Sequence, residues 1–324
     1  MRRFALLIAG FAMLAGCGGQ SSAPSPDGTA PAPGGKLTIA VIPKGLAHQF
    51  WLTVKAGAEA AGKEAGADVV WQGPAKETEL DKQLNIVQDM ISRKVSALVL
   101  AACDENALIP PIQKAMNAKI PVVTIDSGVK SDLPLSFVAT DNVAGAKAAA
   151  ETLAKLIGEE GPVGLIPFVP GAATSEMREQ GFKEGIAAFP KIQLAATNYC
   201  MSDVAKGMDV TQDMLTAHPD LKGIFAANEA AAIGAAQAIK SSGKVGQVKL
   251  VAFDASEEEL AALKDGVIQA LVVQNPFKMG YMGVKAALDA IQGKPVEKRI
   301  DTGVTIVTRE NLDTPDVQKL LHPL

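Results

Sequence analysis

Aromatic side chains are scarce, with Phe 10, Trp 2 and Tyr 2 making up 4% of 324 residues. Each is therefore worth locating. Cysteine and histidine are as thin, at three apiece. That rules out a disulfide scaffold and leaves too few ligands for a zinc cluster. There is no basic surplus: 31 Lys and Arg against 35 Asp and Glu give a net charge of −4. A nucleic-acid partner is therefore not expected. No apolar run reaches the roughly 20 residues that cross a bilayer as a helix. Apolar material is nevertheless plentiful, at 48%, and the length suits about two domains of roughly 150 residues.

The chain opens with Arg2 and Arg3, an apolar run from Phe4 to Met13, and then Leu14-Ala15-Gly16-Cys17. A basic start, about a dozen apolar residues and a small-residue site predict a secretory signal over residues 1–17. Leu-Ala-Gly-Cys resembles the lipobox of bacterial lipoproteins, which implies Cys17 as a lipidated N-terminus. Residues 18–35 are Gly, Ser, Ala and Pro with one charge, Asp27. Such a stretch cannot bury enough surface to fold and predicts a flexible tether. The expectation is an exported body, on the periplasmic or cell-surface side, anchored to a bacterial membrane through lipid on Cys17.

From Lys36 onward short β-branched runs alternate with helical periodicity. Strands are predicted over 37–42, 67–71, 95–100 and 121–125, with helices over 50–66, 77–92 and 107–118 between them. The second half repeats the pattern, with strands over 161–169, 192–197, 223–227, 248–253 and 268–273. Its helices are predicted over 144–158, 175–189, 206–217, 230–241, 257–264 and 278–292. Strands alternating with helices of this length predict an α/β protein of two doubly wound parallel-sheet lobes. Ligands of such sheets sit beyond the carboxyl ends of the strands, so those positions are the candidate ligand contacts.

They are polar and carry few basic groups. His48, Phe50 and Trp51 follow the first strand, and Asp126 and Ser127 follow the strand ending at Ile125. Asn228-Glu229, Asp254 and Gln274-Asn275 follow later ones. Carboxylates and amides that pair hydroxyls, with flat aromatic faces for ring C–H groups, suit a small hydroxyl-rich ligand. Blander readings stand beside this one. Phe50 and Trp51 suit a hydrophobic staple, Asp254 or Ser256 a helix cap, and Glu176 a first-turn carboxylate favoured by the helix dipole. Nothing suggests a cofactor or a metal: no phosphate loop and no ligand spacing is present.

Over residues 36–312 the chain resembles the periplasmic ribose/galactose-type sugar-binding proteins of ABC importers. The resemblance rests on Phe50-Trp51 with Gly57, Ile120 to Asp126, Ala139-Thr140-Asp141-Asn142, Arg178 to Phe182, and Leu215 to Asp220. It continues through Ile224 to Glu229, Val251 to Asp254, and Gln274-Asn275-Pro276. It implies a type I periplasmic binding protein fold whose lobes are joined by a three-strand hinge with crossings near Asp141, Gln274 and Thr302. One lobe would comprise 36–140 and 275–302, the other 141–274 and 303–312, leaving 313–324 as a tail. It implies ring-stacking by Phe50 and Trp51, ligand contact by His48, Asp126, Asn228, Asp254 and Gln274, and a structural role for Asp141 and Asn142.

The chain departs from that pattern at two places. The Arg expected after the Asp of the fourth strand is Ser127, and the Arg expected five residues before Gly181 is Glu176, with Arg178 the nearest guanidinium. Three carboxylates, Asp126, Glu176 and Asp254, are then expected to face the cleft. The ligand expected is a sugar, a polyol or an amino sugar. The implied role is a monomeric solute-binding lipoprotein serving a permease and ATPase. A receptor for a chemotaxis or two-component partner is the alternative, and a glycosidase using Asp126 and Asp254 a distant third. Cys103 and Cys200 are read as separate thiols.

Overall fold

The computed structural model describes residues 36–323; the signal, the lipobox with Cys17 and the tether lie outside the described residues. The chain first lays down β1 (Thr38–Ile42), α1 (Gln49–Ala65), β2 (Asp68–Trp71), α2 (Leu80–Ser92), β3 (Ala97–Leu100), α3 (Ile109–Asn117), β4 (Val122–Ile125) and β5 (Ser136–Ala139). The second series is α4 (Asn142–Leu156), β6 (Glu160–Ile166), α5 (Ala173–Ile186), β7 (Lys191–Thr197), α6 (Val204–Ala217), β8 (Gly223–Ala226), α7 (Glu229–Ser241), β9 (Lys249–Phe253), α8 (Glu257–Lys264) and β10 (Ala270–Gln274). Then come α9 (Pro276–Ile291), β11 (Arg299–Asp301), β12 (Val304–Val307) and α10 (Pro315–Leu321).

These strands make two six-stranded sheets, ordered β11-β5-β4-β3-β1-β2 and β12-β10-β9-β8-β6-β7. Every pairing is parallel except β10 with β12. Central strands such as β3 (ALVL), β4 (VVTI) and β8 (GIFA) are buried at every position. Helices cover both sheet faces, so these strands read as continuous apolar runs rather than alternating ones. The chain passes from one sheet to the other after Ala139, after Gln274 and between Asp301 and Val304. This is the two-lobed α/β architecture that the alternation predicted.

The differences in detail have local causes. α2 starts at Leu80 rather than 77, and the freed loop carries Glu77. α4 starts at Asn142 because the Asp141 carboxylate accepts from the Ala144 N–H at 3.0 Å, a cap that displaces the apolar period as the start signal. β5, β11 and β12, of three or four residues, are not among the predicted strands. α10 packs Val317 into the second lobe's core, with Leu320 and Leu321 against it.

Candidate functional site

Loops at the carboxyl ends of both sheets converge on a small cavity of about 20 Å³, room for about one water molecule, lined by side chains from both lobes. His48, Phe50, Trp51, Asp126, Arg178, Asn228, Asp254 and Gln274 all line it, as do three residues the sequence reading did not single out: Lys44, Glu77 and Phe168.

The two aspartates occupy equivalent places. Asp126 directly follows β4 and Asp254 directly follows β9, and each donates its backbone N–H to the neighbouring strand, at Val138 O (3.0 Å) and Val272 O (3.1 Å). Both have left-handed backbones, with φ of 53° and 82°. That conformation costs a non-glycine residue of order 1 kcal/mol and concentrates at functional sites. The Asp254 carboxylate accepts from Gln274 Nε2 (2.7 Å) and from the Glu229 N–H (3.0 Å). Gln274 Oε1 is enclosed with no protein hydrogen bond and calls for a donor, while Asp126 Oδ2 faces the Lys44 ammonium at 3.1 Å.

Aromatic faces come from both lobes. Phe50 and Trp51 open α1 and meet edge to face at 4.9 Å. Trp51 is 1% exposed, and its indole N–H donates to Glu77 at 2.9 Å. Phe168 stands two residues past β6, opposite them. Arg178 reaches in from α5, 2% exposed. Its guanidinium lies 3.8 Å from the Phe253 ring centroid and 5.6 Å from that of Phe168. It donates to Asn142 Oδ1 (2.8 Å) and to Ala227 O (2.7 Å), which fixes its plane while leaving N–H groups for the cavity. Asn228 serves as cap and wall at once: Oδ1 accepts from the Ala231 N–H at 3.0 Å, and Nδ2 donates to Ser202 at 2.8 Å.

Lys44, two residues past β1, is 3% exposed. Its ammonium donates to Thr174 Oγ1 (2.9 Å), pairs with Asp126 (3.1 Å) and lies 3.9 Å from Glu77. Gln83 pins this loop by donating to Pro43 O and Ala101 O while accepting from the Cys103 N–H. Burial draws the Lys44 ammonium down, but Asp126 and Glu77 outweigh it and hold it above its ordinary value. Burial likewise disfavours charged His48, yet Glu77 at 3.6 Å raises it to about 9. Glu77 is pushed up by burial and pulled further down by Lys44 and His48, so it stays well below the usual carboxylate range. Asp126 is raised by burial against the pull of Lys44 and Arg178.

Two expected residues do not reach the cavity. Glu176 is exposed on the first turn of α5 and accepts from the Gly171 N–H at 3.0 Å, so it secures its own loop. Ser127 is buried and does not line the cavity; its carbonyl accepts from the Ala102 N–H, and its enclosed hydroxyl has no protein hydrogen bond. Of the three carboxylates expected at the cleft, Asp126 and Asp254 line it and Glu176 does not; Glu77 takes the third place, and Lys44, His48 and Arg178 line the same cavity. Cys103 and Cys200 are free and buried, and burial pushes both thiols up to about 12. They are unreactive at neutral pH.

Fold and site together define a two-lobed binding protein for a small polar molecule. The periplasmic binding protein domain family matches residues 39–295, and the chain belongs to it. The D-ribose/D-allose-binding protein of Pseudomonas aeruginosa is 35% identical over 287 residues, 84% of this chain and 89% of its own. A solved ABC transporter solute-binding protein from Agrobacterium vitis, with D-fucose bound, is 41% identical at a TM-score of 0.85, over 87% of this chain and 98% of that one. A carbohydrate transporter solute-binding protein from Agrobacterium radiobacter, in complex with D-arabinose, is 35% identical at a TM-score of 0.86, over 89% and 99%. The likeness is to ribose-type periplasmic sugar-binding proteins, and the chain is a binding protein, not an enzyme. No helix among the described residues is long and apolar enough to cross a membrane.

Proposed function

We propose that this chain is the solute-binding lipoprotein of an ABC importer. It captures a neutral monosaccharide or related polyol between its lobes and closes over it by hinge motion. Lipid on Cys17 holds it to the membrane, and the closed form is delivered to a permease with its ATPase. One observation carries the ligand class: aromatic faces from both lobes surround a cavity whose three cations and three carboxylates offset one another. A neutral, hydroxyl-rich ring satisfies such a site without adding a buried charge. Relatives that bind ribose or allose, fucose and arabinose support the reading.

Isothermal titration of residues 36–324 with D-ribose, D-allose, D-arabinose, D-fucose, xylitol, D-glucosamine and D-glucuronate tests it. Binding by a neutral member is expected. Binding by glucosamine or glucuronate alone would reject a neutral ligand. Radiolabelled palmitate incorporated by the full chain and lost in Cys17→Ser is the expected sign of the anchor.

A further inference from the structure

The C-terminal helix α10 is rooted in one lobe and reaches the other. Val317 anchors it in the second lobe's core, and Leu320 and Leu321 pack, partly buried, against the same cluster. Those two leucines also line a cavity of about 50 Å³, room for about three or four water molecules, which they share with Gln49, Phe50 and Thr53 of α1 in the first lobe. Phe50, Asp254 and Gln274 line this cavity and the ligand cavity alike. Val273 and Pro276, on either side of the second crossing, line it too. The tip of α10 therefore stands on the hinge side of the ligand site, with Phe50 between the two cavities. Beyond the tip, Leu321 and Pro323 share an open groove of about 660 Å³ with Phe277 and Leu52, the latter 59% exposed. The tip thus meets the first lobe along a narrow seam and can part from it while Val317 stays in its core.

We propose that α10 is a strap across the hinge: Leu320 and Leu321 press toward the end of α1 that carries Phe50, and they favour the closed arrangement of the lobes before any sugar enters. The inference rests on the closure reading above. Polar bonds across the cleft exchange with water at little net cost, so they fix the geometry of closure more than its free energy. Apolar side chains that leave water only when the lobes approach act with one sign, toward closure. When the binding-competent form is partly populated, the apparent affinity scales with its fraction. The strap therefore changes the affinity for every sugar by one factor. A side chain that touches the sugar changes each by a different one.

The test uses the double variant Leu320→Ala with Leu321→Ala, which leaves Val317 in place and alters no residue lining the ligand cavity. D-ribose, D-allose, D-arabinose and D-fucose are titrated into the unaltered chain and the variant, and small-angle scattering is recorded with and without sugar. The affinity for each sugar that binds should fall by a common factor, roughly 3- to 30-fold. The sugar-free variant should have a larger radius of gyration than the sugar-free unaltered chain, and the two should match at saturation. Unchanged affinity in a variant that melts lower would mean that α10 only completes the second lobe's core, and would overturn the proposal. Losses that differ from sugar to sugar would overturn it as well. Should the double variant fail to fold, Thr53→Leu tests the seam from the first lobe by extending apolar surface into the 50 Å³ cavity. It should tighten every sugar by one factor, and unchanged or weaker binding would overturn the proposal. If the unaltered chain binds none of the four sugars, the sugar reading falls on its own. The sugar-free radii still decide the strap, and equal radii would overturn it.

Discussion

Glu77 ties cleft side chains of both lobes together. It accepts from the Trp51 indole (2.9 Å) and from Ser202 of the second lobe (2.7 Å), and it pairs with His48 (3.6 Å) and Lys44 (3.9 Å). A pH dependence follows. His48 is raised from 6.5 to about 9, chiefly by Glu77 once burial has been overcome. A group whose folded value is raised contributes in full below its unfolded value and loses that contribution as pH rises through the folded one. The melting temperature should therefore fall by a few degrees between pH 6.5 and 9. In Glu77→Gln it should start lower and slope less. Melting curves at closely spaced pH values check this, and parallel slopes would show that His48 is not the group responsible. Residues such as Asp126, Asp254 and Gln274 were legible because each ends a strand of a doubly wound sheet. Lys44 and Phe168 obey the same rule, two residues past β1 and β6. A lone lysine is normally solvated, so the sequence gives no signal for Lys44; Phe168 falls inside the run that predicts a strand over 161–169, whereas β6 ends at Ile166. Glu77 falls inside the predicted helix over 77–92, whereas α2 starts at Leu80. A register shared with relatives says nothing of which way a first-turn side chain such as Glu176 points.

At the scale of elements, α1 lacks a cap of its own. Its N-cap residue, His48, makes no side-chain cap bond. The carboxylate of Glu229, on the first turn of α7 in the other lobe, accepts instead from the N–H groups of Gln49 and Phe50, both at 3.0 Å. A helix end satisfied in trans ties one lobe to the other where Phe50 and Trp51 emerge. Loss of a cap costs about 0.5–2 kcal/mol. If that cap forms on closure, Glu229→Ala weakens sugar binding by roughly 2- to 30-fold. Titration with the best-binding sugar checks it, and unchanged affinity would mean the bond persists in every state of the cleft. The pair α1 and α9 shows a second device. A Cβ added at Gly280 would come within 1.9 Å of Val54 O, and one at Gly57 within 2.0 Å of Phe277 O. The helix axes can be this close only without side chains, so Gly280→Ala must push them apart. It is expected to destabilise by about 1–3 kcal/mol, the usual cost of overpacking, read from denaturant midpoints. The long helices and buried strands were readable from periodicity because each commits a whole face to a core. The short β11 and β12 are not, because each lies at a sheet edge and pairs with a strand distant in sequence, β5 or β10.

Among the described residues no apolar core is common to both lobes. One cluster fills the second lobe, and two others fill the two faces of the first sheet. What crosses the cleft is polar: Lys44 to Thr174, Ser202 to Glu77, the Glu257 N–H to Gln49 Oε1, the Glu105 N–H to Gly171 O, and Glu229 to α1. Water can replace each of these bonds at little net cost, and polar inter-domain surfaces permit relative motion by default. The connections at the crossings are narrow by comparison. Thr140 and Thr302 meet at 3.4 Å, and Gly303, at φ of 83°, turns the last crossing. Separation of the lobes would therefore leave the cores intact, and a ligand held by both lobes would shift the balance toward the closed form by its differential affinity. Small-angle scattering should give a smaller radius of gyration with saturating sugar than without. At 100 times the dissociation constant the same sugar should add about 2.7 kcal/mol of stability, a rise of several degrees in melting temperature. A melting shift with no change in radius would mean that the ligand enters lobes already closed. Sugar recognition would then stand while the hinge motion would not, and Glu229→Ala would be the variant in which to look for the open form.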